Sequence, residues 1–195
     1  MVEKTYHHED LREELINAGI KLLDADGYEK FSLRTVAKAC GVSHTAPYRH
    51  FENKEELLSA MAAQIDQQFN DSLEAAAAAH PDNTVAQIDE MGYTYISFFL
   101  KNPVYLRLAF LSNFDKNIFV DSGSCSPMKE TVFYKTIRRY AAEKQQEKPG
   151  ADIDTDILAL KLWGLVHGIT VLLVHGDFQY DGDIMELVRR IIWEK

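Results

Sequence analysis

Residues 31–57 read FSLRTVAKACGVSHTAPYRHFENKEEL, and the order of residue types in this stretch decides how the rest of the chain is read. Leu33, Val36 and Ala37 recur at helical spacing and predict a short buried helix over Leu33 to Ala39, with Ser32 as its N-cap. Ala37 is small enough for close packing against the next helix. Gly41 supplies a turn that calls for a positive φ, Val42 fills the core beneath it, and Ser43 stands where it can cap a third helix ending near His50. Pro47 falls in the first turn of that helix, where its missing N–H and restricted φ are tolerated. Ser43, His44, Thr45 and Ala46 are small or polar, so the start of the third helix can approach base edges, as helix-turn-helix geometry requires. Tyr48, His50 and Lys54 can donate to phosphates on either side of the groove, although Tyr48 and His50 can equally close the helix onto Phe51.

On either side of this stretch the apolar residues keep helical spacing. Leu11, Leu15, Ala18, Leu22 and Leu23 stripe a first helix over Glu9 to Asp26, and Gly27 stops it. Asn53 with Glu56 three residues later forms a variant of the capping box. It opens a fourth helix that carries Leu57, Leu58, Met61 and Ile65 into the alanine run at 75–79. His80-Pro81-Asp82-Asn83 breaks the chain, a helix follows from Val85 to Lys101, and Asn102-Pro103 starts another. A Ser- and Gly-rich loop, residues 121–126, precedes Pro127 and a polar helix to Lys148. Further helices are expected over Thr155 to His175 and Asp183 to Trp193. The class is therefore all-α with about nine helices: a three-helix module over residues 1–52 and a larger helical body over 53–195.

The chain has 195 residues, 46% of them hydrophobic, enough for a real core. Its net charge of -9 opposes binding a polyanion if taken whole. Between Tyr28 and Lys54, however, five bases (Lys30, Arg34, Lys38, Arg49, Lys54) face two acids, a local +3 that leaves -12 for the remainder. That is the layout of a small cationic face on an acidic body. Met1 is followed by no basic segment leading into an apolar stretch, so a cytoplasmic protein is expected. The run from Leu162 to Gly176 without Asp, Glu, Lys or Arg is 15 residues. A bilayer span needs about 20, so a buried helix is read there and no membrane partner. Cys40 and Cys125 lack metal-ligand spacing; reduced structural thiols and no metal site or cofactor follow, with an oxidant-sensing role for Cys125 as the alternative.

The turn glycine followed by Val-Ser, the Tyr-x-His-Phe run and the Lys-Glu-Glu-Leu after it closely resemble the DNA-binding domain of TetR-family regulators, over about residues 10 to 60. The resemblance implies Arg34 and the stretch His44 to Ala46 as base readers, and Ser32, Tyr48, His50 and Lys54 as contacts to the DNA backbone. It also implies a double-stranded DNA operator as partner and a small-molecule effector held in the helical body. Ala46-Pro47 departs from the family pattern and leaves fewer side-chain donors for reading bases.

Leu162 to Gly168, LWGLVHG, looks like the Trp-His-Gly signature in the C-terminal domain of one TetR subgroup. Gly164 and Gly168 share a helix face and permit close approach of another backbone. A helix apolar nearly all round must be covered on both sides. Leu158, Leu162, Leu165, Ile169 and Leu172, with Leu187 and Ile191 of the last helix, are therefore read as a homodimer interface, a monomer core being the alternative. Two-fold symmetry would set two recognition helices about 34–36 Å apart, matching a pseudo-palindrome. Aromatic residues in the body (Tyr93, Tyr95, Phe98, Phe99, Tyr105, Phe110, Phe114, Trp163) are either plain core or the lining of an effector pocket. The pocket set is taken as Tyr93, Phe98, Tyr105, Phe110, Phe114, Trp163 and His167. His167 and His175 lie on one side of their helix, as ligands for a metal or an acid or as hydrogen-bonded core histidines. The function expected is a homodimeric repressor released from its operator by an effector, with a constitutive DNA-binding dimer as the alternative. A helical enzyme finds little support: no nucleophile-base set is evident, and Asp89 and Glu90 diverge by about 100° on their helix.

Overall fold

The computed structural model describes residues 8–108, 128–148, 150 and 153–194; Phe110, Phe114 and Cys125 lie outside them. Among the described residues there are eight α-helices and no strand. They are α1 His8–Asp26, α2 Leu33–Ala39, α3 Lys54–Ala78, α4 Thr84–Lys101, α5 Pro103–Leu106, α6 Val132–Glu147, α7 Thr155–His175 and α8 Ile184–Trp193. A short 3₁₀ helix, Ala46–Arg49, stands where the third helix was expected.

The described residues form two compact units, residues 8–65 with 108 in one and residues 66–107 with the described residues from 128 onward in the other. The division falls inside α3 and not at residue 52, because Leu57, Leu58, Met61 and Ile65 on the first turns of α3 are buried with the residues of the first unit. Leu15, Ile16, Ile20, Phe31, Leu33, Val36, Ala37 and Phe51 complete that core. In α1, Leu11, Ala18 and Leu22 are only half-buried, and the stripe turns toward Ile16 and Ile20. Gly19 is required by packing: a Cβ there would come within 2.9 Å of Met61 Sδ.

In the second unit α4 packs on α6, α7 and α8. Ile88, Tyr95, Ile96, Phe99, Ile137, Leu162, Val166, Val188 and Ile192 are among the residues that meet in its core. Gly92 lets α8 come close, since a Cβ would lie 2.9 Å from Val188 Cγ1. Asp89 is buried on the same helix and accepts from Trp193 Nε1 at 2.6 Å and Arg189 Nε at 3.2 Å, tying α8 to α4. Side-chain caps fix the starts: Asn83 accepts from Ala86 N, Thr131 from Tyr134 N, Asp154 from Ile157 N and Asp183 from Glu186 N. Asn102 makes no such cap for α5; its Nδ2 donates back to the Phe98 carbonyl at 3.1 Å and closes α4 instead.

Candidate nucleic-acid interface

The turn between α2 and the 3₁₀ helix is built by its backbone. Ser32 and Thr35 form a reciprocal capping box at 3.1 and 3.0 Å, which starts α2. At its other end Gly41 N–H donates to Lys38 O and Val42 N–H to Ala37 O, the paired bonds of a Schellman motif, with Gly41 at φ +69°. An L side chain at Gly41 would be strained in this region of φ.

Beyond the turn the third helix differs from expectation. Ser43 is not the N-cap; its hydroxyl is 3.1 Å from Thr45 Oγ1, and Thr45 occupies the cap position without a side-chain bond to the helix backbone. Pro47 has no N–H to give the helical ladder. The amides of His50 and Phe51 both converge on the Pro47 carbonyl at 2.9 Å, and the segment tightens to 3₁₀ geometry. Pro47, not Val42, is the buried residue here.

Arg34 on α2 and Ser43, His44, Thr45 and Tyr48 on the turn and 3₁₀ helix are exposed, and α2 packs directly on the 3₁₀ helix. Tyr48 is 57% exposed and lies outside the core. Lys38 and Arg49 are exposed on the same two elements, cations that the sequence reading counted only toward local charge. Three residues of the expected set are engaged inside the protein. Ser32 is held in the capping box, and half-buried His50 tilts against Phe51 with ring centroids 6.5 Å apart. Lys54 Nζ donates to the Tyr28 carbonyl at 3.0 Å and sits 3.4 Å from the Tyr28 ring centroid. Asn53 accepts from Glu56 N at 2.8 Å as the capping box requires, while Glu56 reaches back to Glu52 N, one residue before the expected donor.

Within the second unit, Tyr95 and not Tyr93 meets His167: the hydroxyl is 2.8 Å from Nδ1. Two residues on α4 are about 200° apart around the helix, so Tyr93 looks away, half-buried. Trp163 stacks on His167 at 5.1 Å and 10°. Phe69, Tyr95, Phe98, Phe99 and Tyr105 continue the ring-on-ring contacts at 5.1–5.6 Å. Burial holds His167 below the usual imidazole range and pushes the Tyr95 phenol far up, against a hydrogen bond with Trp163 that acts the other way. His175 is exposed at the end of α7. Cys40 Sγ lies 3.6 Å from the Glu14 carbonyl; burial first, then the Glu14 charge, raises its thiol above the ordinary range, as suits a structural thiol.

α7 is apolar on two opposite faces. Leu162 is 2% exposed in the core, and Leu158 and Ile169 are half-buried against the same cluster. The outward face carries Ile157, 67% exposed, Leu160, 62%, and Leu172, 47%, with Gly164 and Gly168 open between them. Ile157 and Leu160 were not read from the sequence, because an all-round apolar helix gives no sign of which face is inward. Leu165, Leu187 and Ile191 are half-buried.

Residues 15–61 match the family described as bacterial regulatory proteins, tetR family. Over 60 residues the chain is 43% identical to the HTH-type nicotine-responsive transcriptional repressor HdnoR of Paenarthrobacter nicotinovorans, a match covering 31% of each chain. Over the whole fold it is similar to a protein of unknown function from Rhodococcus sp. RHA1, with a TM-score of 0.75, 27% identity and coverage of 97% of this chain and 95% of that one. A transcriptional regulator of the TetR/AcrR family from Thermobifida fusca YX-ER1 shares the fold at a TM-score of 0.68 and 19% identity, covering 95% and 98% of the two chains. This chain's capped α2, Schellman turn and exposed 3₁₀ helix all lie within the stretch that matches the tetR family of bacterial regulatory proteins, so residues 15–61 form a TetR-type helix-turn-helix module.

Proposed function

We propose that the protein works as a cytoplasmic homodimeric repressor, docked on a pseudo-palindromic operator through Arg34, His44, Thr45 and Tyr48 and released by a small-molecule effector. The observation that carries this reading is the outward face of α7, where Ile157, Leu160 and Leu172 stand exposed around two open glycines. An apolar face of this kind on a soluble body marks an interface, and a second copy meeting it face to face is the simplest closed arrangement. α7 is 21 residues long and apolar enough, by length and composition, to cross a membrane. The burial of Ala159, Leu162, Val166 and Thr170 within a helical core supports a core-and-interface helix instead.

The local +3 of the DNA-facing stretch is small for one copy, so affinity comes from two modules acting together. The effector acts only through differential affinity for two conformations; it and the operator must then weaken each other reciprocally. A second reading, a constitutive DNA-binding dimer, draws support from the ring-on-ring packing of Phe69, Tyr95, Phe98 and Phe99, which a ligand among them must disturb.

An electrophoretic shift with DNA from upstream of the protein's own gene, and with a selected-sequence library, tests the proposal. Salt-sensitive binding to at least one is expected; absent or salt-insensitive binding to both contradicts it.

A further inference from the structure

The second unit carries a groove of 340 Å³ between the end of α3, the start of α4 and α6, lined among others by Glu74, Pro81, Gln87, Lys135, Thr136 and Arg139. Gln87 is 4% exposed. Its Nε2 donates to the Ala77 carbonyl at 3.0 Å, while its Oε1, also out of solvent, has no hydrogen-bond partner among the described residues. Buried polar atoms are nearly always satisfied. A donor that draws the Gln87 side chain toward the groove would satisfy Oε1.

The rim supplies the complementary charge. Lys135 and Arg139 are four residues apart on α6 and share a helix face, both exposed, with Glu74 the single acid among the lining residues. Arg139 is steadied by donating Nη2 to the Pro81 carbonyl at 3.2 Å. At about 30 Å³ per water-sized group the volume takes on the order of ten non-hydrogen atoms. We propose that this groove binds a small carboxylate that also carries an amide N–H: the N–H donates to Gln87 Oε1, and the carboxylate pairs with Lys135 and Arg139. Alanines 77 and 78, Pro81 and Val132 give the intervening carbons an apolar wall. The site is separate from the Tyr95–His167 core and does not rest on the proposed effector release.

N-acetylglycine carries both groups and is the probe, titrated into the full chain with melting temperature and the Gln87 side-chain amide NMR signal as readouts. N-methylacetamide, with the donor alone, and propionate, with the carboxylate alone, are the comparisons. N-acetylglycine is expected to raise the melting temperature and move the Gln87 signal, and each comparison compound to do so more weakly. Lys135→Gln, a surface change that leaves the core untouched, is expected to weaken binding about threefold, and Gln87→Met about fivefold. No movement of the Gln87 signal, equal binding by wild type and both variants, or propionate binding as tightly as N-acetylglycine would overturn the proposal. None of these outcomes bears on operator binding.

Discussion

The Tyr95 hydroxyl lies 2.8 Å from His167 Nδ1, bridging α4 and α7 inside the helical body. Burial holds the imidazole below its ordinary pKa, so the neutral ring accepts and the phenol donates. Unfolding frees His167 to titrate at about 6.5. The unfolded chain then binds the proton more readily than the folded one, and this contribution to stability is complete above about pH 6.5 and declines as pH falls toward the folded value. Chemical denaturation from pH 7.5 to 5 (about one unit above to one and a half below) should show a shallower pH dependence for His167→Gln than for the wild type. Tyr95→Phe should lower stability by about 1 kcal/mol at neutral pH. Parallel pH profiles for wild type and His167→Gln would refute the assignment.

Asp89 holds α8 through the Trp193 indole and the Arg189 guanidinium. Asp89→Ala should cost about 1–3 kcal/mol, since it removes a buried acceptor from two donors. Asp89→Asn keeps an oxygen for Trp193 and should cost less. Urea midpoints for the two variants beside wild type check the ordering, and midpoints equal to that of wild type for both would show that neither bond matters.

The two cations Arg34 and Lys54 should separate binding from folding. Arg34 is exposed on α2; Arg34→Ala should leave stability within about 0.5 kcal/mol and weaken operator binding about tenfold. Lys54 is tied to Tyr28 by a hydrogen bond and its ring. Lys54→Met should therefore lower stability by about 1 kcal/mol. Melting curves read beside fluorescence anisotropy on a labelled operator distinguish the two.

Much of this fold was legible where a helix has chemically marked ends. Thr155 to His175 was bounded correctly because Asp154 caps one end and Gly176, at φ +78°, closes the other. α2 was bounded by Ser32 and the Gly41 turn in the same way. The errors fall where one residue type serves two outcomes. Pro47 is compatible with a first helical turn but also tightens the segment to 3₁₀, which a residue pattern does not separate. Leu162 and Leu160 are equally apolar, yet one lies in the core and the other faces out, because α7 reads alike on both faces. The bond from Lys54 to the Tyr28 carbonyl is a tertiary fact between residues 26 apart in sequence, which no local residue pattern shows.

Leu160 stands on the outward face of α7, one turn before Gly164. Leu160→Lys places a charge where two copies would meet while leaving the inward face intact, so the variant should keep its helicity and melting behaviour within about 0.5 kcal/mol. Dimer loss with an intact fold locates the interface; an unchanged dimer would move it elsewhere.

Sedimentation equilibrium of wild type and Leu160→Lys, alone and with a selected operator duplex, tests most directly whether DNA is read by a dimer built on α7. Wild type should sediment at twice the chain mass of 22.2 kDa and place two chains on each operator. Leu160→Lys should sediment as a monomer and bind the duplex at least about a hundredfold more weakly. A wild-type chain that remains at 22.2 kDa, or a monomeric variant that binds the operator as tightly as wild type, would contradict it.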